Sequence, residues 1–257
     1  VLSGSAWLGA ALAGMAGGLL NALAGGGSLI SFPVLTALGL SPLVANLTNT
    51  VALTPGYLGA AWVQRRHLAG QGGRIRLLVP AASLGGLLGG WLLLRSDERL
   101  FAHLVPWLIL FGSALLGLQP SLRALLRPQD GSAPDPRRQR QLLGLAVAAV
   151  ALAAIYGGYF GAGLSVIFLA VLGLTFADNL TRLNGLKQLL SFVTNLGATV
   201  VLVSSGRVDW PMAVVVAMGS IVGGQVGGAV ANRVNGEALR WLVVVLGVGI
   251  GLWFLRR

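Results

Sequence analysis

The chain has 257 residues, 55% of them hydrophobic and only 10% charged, with a mean hydropathy of +0.81. A soluble domain carries about 25% charged residues, whereas apolar runs approaching the roughly 20 residues of a bilayer span recur here, so the composition excludes a soluble domain and predicts an all-α polytopic membrane protein. The net charge of +11 comes from arginines flanking apolar runs, which reads as topology rather than nucleic-acid binding, and the absence of cysteine excludes disulfides and thiol chemistry.

In chain order, the apolar runs predict about eight transmembrane helices, at 5–24, 43–64, 76–95, 100–118, 141–159, 181–204, 211–232 and 238–255. Two glycine-rich stretches, 25–40 and 160–174, follow a span and are too short and interrupted to cross as one regular helix. The segment 119–140, "QPSLRALLRPQDGSAPDPRRQR", is rich in proline and arginine and reads as a linker between halves 1–118 and 141–257. Arginines also mark 64–75 and the C-terminus. The span count puts an even number of passes between these segments and the linker, so the positive-inside rule predicts all three in the cytoplasm. Should the two glycine-rich stretches cross fully, the halves become inverted instead.

The halves look like repeats. "GGLLGG" at 85–90 matches "GGQVGG" at 223–228, and "AGGGSLISFPVLTALGL" at 24–40 is similar to "FGAGLSVIFLAVLGL" at 160–174. Two related four-helix repeats, each with a glycine-interrupted segment, point to secondary-transporter architecture with a site at the repeat interface. The GxxxG pairs Gly14/Gly18, Gly85/Gly89 and Gly223/Gly227 read as close helix packing and leave a homodimer open.

Lys187 is the only lysine in the chain and lies inside an apolar run. Helical spacing puts Asn184, Ser191, Thr194 and Asn195 on its side, and Asn46, Asn49, Thr50, Thr54 and Tyr57 form a matching stripe on the counterpart span. Asn and Thr serve as interhelical hydrogen-bonding glue at about 0.6 kcal/mol each. A lysine within a span costs about 2.5–3.5 kcal/mol, although it sits about 9 Å from the helix start, where snorkelling to the interface is the competing reading. All seven carboxylates fall in connections or at helix ends, so a cation beside amides and hydroxyls suits an anionic ligand. Glycines at 25–27 and at 161 and 163 expose backbone N–H groups where a half-helix starts, again favouring an anion. They lack the Gly-Lys-Ser/Thr of a nucleotide loop.

Four stretches carry a family resemblance: "NALAGGGSLISFPVLTALGLSPLVANLTNTVAL" at 21–53, "GGYFGAGLSVIFLAVLGL" at 157–174, "RLNGLKQLLSFVTNLGATVV" at 182–201 and "VDWPMAVVVAMGSIVGGQVGG" at 208–228. On these the chain resembles the TauE/SafE sulfite exporter family. The resemblance implies a multi-pass permease of the bacterial inner membrane for sulfite, an organosulfonate or another small anion. It places substrate binding on Gly25, Gly26, Gly27, Ser28, Asn49, Thr50, Gly161, Gly163, Asn184, Lys187 and Asn195. No acid or histidine falls mid-span for proton coupling, so potential-driven export by alternating access is expected, with proton-coupled uptake of thiosulfate or a carboxylate as the alternative. No Ser–His pair or histidine cluster supports an enzyme, a metal site or a cofactor. The expected partners are the anion and the lipid bilayer.

Overall fold

The computed structural model describes residues 4–23, 25–125, 136–176, 178–230 and 236–256, with side chains undescribed at 123–125, 136–140, 228–230 and 236. It is all-helical over these residues. The helices are α1 (Gly4–Leu23), α2 (Ser28–Ala37), α3 (Pro42–Val63), α4 (Gly72–Arg95), α5 (Glu98–Leu125), α6 (Pro136–Tyr159), α7 (Leu164–Thr175), α8 (Leu180–Ser204), α9 (Trp210–Val230) and α10 (Gly236–Leu255), with a short tight turn at Arg65–Leu68. Seven of them, α1, α4, α5, α6, α8, α9 and α10, are long and apolar enough to cross a membrane. α3 has 22 residues, long enough to cross, but its Asn and Thr face lowers its hydropathy. Large apolar side chains point outward, among them Leu8, Trp107, Leu152 and Val245, each more than half exposed, as a lipid-facing surface requires.

The two glycine-rich stretches become the short helices α2 and α7. The linker expected at 119–140 is shorter at both ends, because α5 runs on to Leu125 and α6 begins at Pro136; its centre, 126–135, lies outside the described residues.

Glycines set the direction of packing. Gly14 and Gly18 of α1 press on the Val216 and Ser220 carbonyls of α9, and Gly219 and Gly223 press back on the Ala11 and Met15 carbonyls. Residue numbers rise together, so α1 and α9 run parallel. In the same way Gly85 and Gly89 of α4 meet the Ala151 and Ile155 carbonyls of α6, while Gly158 meets the Gly86 carbonyl. The GxxxG faces are therefore consumed inside the chain and offer no surface to a second copy.

α3 lies parallel to α1 and α9: Leu53 packs on Gly17, and the Ser220 hydroxyl donates to the Ala52 carbonyl at 3.2 Å. α8 lies parallel to α4, with Gly86 on the Thr194 carbonyl and Gly90 on Ala198. Between these two groups the direction reverses, since Thr54 meets Thr199 while Asn184 meets Gln64. Because α1 and α3 are parallel, α2 must carry the chain back, and Leu38 accordingly packs beside Gly9. α7 does the same between α6 and α8. The packing maps onto itself when the first five helices are exchanged with the last five: α1 on α9 answers α6 on α4, α3 on α9 answers α8 on α4, and α2 on α10 answers α7 on α5.

One consequence corrects the expected topology. Trp253 and Phe254 at the end of α10 line one pocket with Leu40 and Pro42, at the opposite end of α3 from Gln64. The 64–75 connection and the C-terminus therefore occupy opposite ends of the bundle. The return passes of α2 and α7 give each half an odd number of passes.

Candidate functional site

The first broken segment turns sharply after α1. The Gly25 N–H donates to the Leu20 carbonyl at 2.7 Å, and Gly25 takes a φ of +84°, which costs an L side chain about 1–2 kcal/mol. The Asn21 side chain accepts from the Gly27 N–H at 2.9 Å, fixing the start of α2. The second segment repeats the device with different groups. Gly161 and Gly163 have φ of +79° and +77°, and the Tyr156 hydroxyl donates to the Ala162 carbonyl at 2.6 Å.

These two turns meet. A Cβ added to Gly25 would lie 2.6 Å from the Ser165 Cβ. Both turns also rest on α5 about one turn apart, Gly26 on Leu116 and Gly163 on the Gly112 backbone. The N-termini of α2 and α7 are thus brought together from opposite ends of the bundle. The first-turn N–H groups of Leu29, Ile30, Leu164 and Val166 already donate to the carbonyls of Gly26, Gly27, Gly161 and Gly163, but each helix start carries about half a positive charge, and two such ends side by side favour an anion through that field. Gly25, Gly26, Gly27, Ser28 and Gly163 are buried and Gly161 is half-buried, so this part of the predicted set is gathered in one place.

The polar stripes of α3 and α8 face inward. Asn46, Asn49, Thr50 and Thr54 are all buried. The Asn46 amide donates to the Tyr159 carbonyl at 2.8 Å, tying α3 to the second turn. Thr50 donates to Asn46 within its own helix, while the Asn49 Oδ1 is buried with no hydrogen-bond partner. On α8, Lys187 is only 6% exposed and Asn195 donates to the Ser191 carbonyl at 2.9 Å. Asn184 is half-buried and donates to Gln64 Oε1 at 2.8 Å.

Beside the turns, a cavity of about 430 Å³ opens between α1, α3, α8 and α9, lined by Asn21, Tyr57, Gln64, Asn184, Gln188, Ser220 and Gln225 among apolar neighbours. Trp62, Val63 and Gln64 in its wall extend it toward the 64–75 end. Of the eleven predicted residues only Asn184 is in the lining. Lys187 is not, whereas Gln188 next to it is. Sequence reasoning missed Asn21 and Gln188. Asn21 stands four residues before Gly25 in an otherwise apolar turn, and Gln188 shares the Asn184 face at helical spacing; both signals were present, but neither residue is charged.

A bundle of helices long and apolar enough to cross a membrane, interrupted by two half-helices that meet near a cavity with a few polar side chains in its wall, is the build of a membrane transporter. Residues 10–254 match the family model described as sulfite exporter TauE/SafE, and the chain belongs to that family. It is 28% identical to a probable membrane transporter protein of Haemophilus influenzae, covering 91% of this chain and 88% of that protein. It is 25% identical to the probable membrane transporter protein YfcA of Escherichia coli K12, over 90% and 83% of the two chains. A probable membrane transporter protein of Xylella fastidiosa is 30% identical, over 86% and 82%. No solved structure matches the chain.

Proposed function

We propose that the protein is a permease for small sulfur-containing anions, exporting sulfite or an organosulfonate across the bacterial inner membrane. The single observation that carries this reading is the meeting of the α2 and α7 N-termini at Gly25 and Ser165, which concentrates positive dipole ends where the membrane offers an anion no water. Lys187, buried on α8, is the cation of this reading and the side chain on which it is tested. Asn and Ser side chains supply neutral donors that orient oxyanion oxygens.

The exchange symmetry of the packing supports two inverted repeats, and inverted repeats give alternating access by rocking one bundle against the other. The end bearing Arg65, Arg66, Arg74 and Arg76 is assigned to the cytoplasm, so the cavity is the inward-open vestibule. An inside-negative potential drives an exported anion with about 2.3 kcal/mol per charge per 100 mV, and no coupling proton is needed.

Proteoliposomes loaded with sulfite test this. Imposed potential should accelerate efflux while a pH gradient alone leaves it unchanged, and Lys187→Met should slow efflux at least about tenfold, the effect of roughly 1.4 kcal/mol. Efflux that follows pH and ignores potential would refute the mechanism.

A further inference from the structure

Among the polar side chains lining the cavity, several already have partners. Asn21 accepts from the Gly27 N–H, Asn184 donates to Gln64, and the Ser220 hydroxyl donates to backbone carbonyls of α3 and α9. Gln188 differs. It is 1% exposed, it lines the cavity, and its Nε2 and Oε1 are both buried with no hydrogen-bond partner. One turn further along α8, the Ser191 hydroxyl is in the same condition. Polar groups left unmet in a protein interior are disfavoured and call for a partner, a substrate atom or an ordered water.

We infer that Gln188 is a specificity-determining residue of this permease, selecting an anion that carries its own hydrogen-bond donor beside the oxyanion group. This rests on the anion-transport reading above. A primary amide presents N–H donors on one arm and a lone-pair acceptor on the other. Turning the amide over exchanges the arms but leaves one donor and one acceptor to satisfy. A bare sulfonate or a fully ionised oxyanion offers acceptors only. It pairs Nε2 and leaves Oε1 unmet. A hydroxy- or amino-substituted sulfonate, or a singly protonated oxyanion, pairs both. Sites built to hydrogen-bond a substrate group discriminate strongly against the analogue that lacks it, because their own polar atoms are then left bare.

The test uses the purified full chain in lipid nanodiscs, titrated with ethanesulfonate and with hydroxyethanesulfonate, which share one negative charge and differ by a hydroxyl. Wild type should bind the hydroxylated compound at least about tenfold more tightly. Gln188→Met, of similar length, should bring the two affinities together by weakening the hydroxylated one more than the bare one. Without ligand, Gln188→Met should melt at a higher temperature than wild type, because it removes two unmet polar groups; a purely structural glutamine would make it melt lower, which overturns the inference. Equal binding of the two compounds by wild type, or a preference that survives in Gln188→Met, also overturns it while leaving anion transport standing. A wild type that binds neither compound, nor sulfite, overturns both readings.

Discussion

Asp178, in the connection before α8, lies between Arg74 of α4 and Arg182 of α8, the second at 3.1 Å. Burial pushes its carboxyl up, but hydrogen bonds from Arg74, the Asn179 N–H and Arg182, with the Arg74 charge, outweigh that and hold it below the usual 3.8. A depressed carboxyl contributes stability that is present above its unfolded value and lost as pH falls through the lower folded one. Asp178→Asn should therefore destabilise the protein at neutral pH by on the order of 1 kcal/mol, read as a lower melting temperature in detergent. The difference should disappear at pH values below the ordinary carboxylate range. A gap between variant and wild type that persists there would mean the loss is not electrostatic. At this same scale the sequence showed only part of the cavity wall. Lys187 drew attention as the chain's only lysine, yet the cavity wall is made by Asn184 and Gln188. Helical spacing identified the polar sector of α8, but not which of its members face the cavity; that depends on how α9 and α1 close around α3.

At the scale of elements, the two broken segments were legible because glycine clusters interrupt apolar runs, and the helices begin where the glycines stop, at Ser28 and Leu164. Their meeting was not legible, since Gly25 and Ser165 are brought together only by the reversal between halves. The contact makes Gly25 sensitive for two reasons: its φ of +84° disfavours a side chain, and the added Cβ would collide with the Ser165 side chain. Gly25→Ala should cost about 1–3 kcal/mol and weaken anion binding by displacing the α2 N-terminus. Gly249→Ala is the control, for it has open space around it within α10 and should melt and bind like wild type. If Gly25→Ala loses stability but keeps full anion affinity, the turn serves packing alone.

For the whole molecule, orientation decides the transport cycle. Counting charged connections put the linker, the 64–75 segment and the C-terminus together, because hydropathy does not reveal whether a half-helix returns the chain. The antiparallel packing of α5 on α10, with Gly117 by Val244 and Gly251 by Leu110, agrees with the pocket that Trp253 and Phe254 share with Leu40 and Pro42 in sending the last helix away from the Arg65–Leu68 turn. Positive charge alone is then a weak guide for the C-terminal pair, and the clustered arginines at 64–76 dominate the assignment. The chain contains no cysteine, so single cysteines report the arrangement without further engineering. In intact cells, Arg256→Cys should react with a membrane-impermeant maleimide, whereas Arg66→Cys should react only after the membrane is opened. Labelling of both from the same side would remove the inverted arrangement, and with it alternating access by exchange of the two halves. Labelling from opposite sides but in the reverse sense would keep the repeats and turn the cavity into an outward-facing vestibule, making uptake the natural direction.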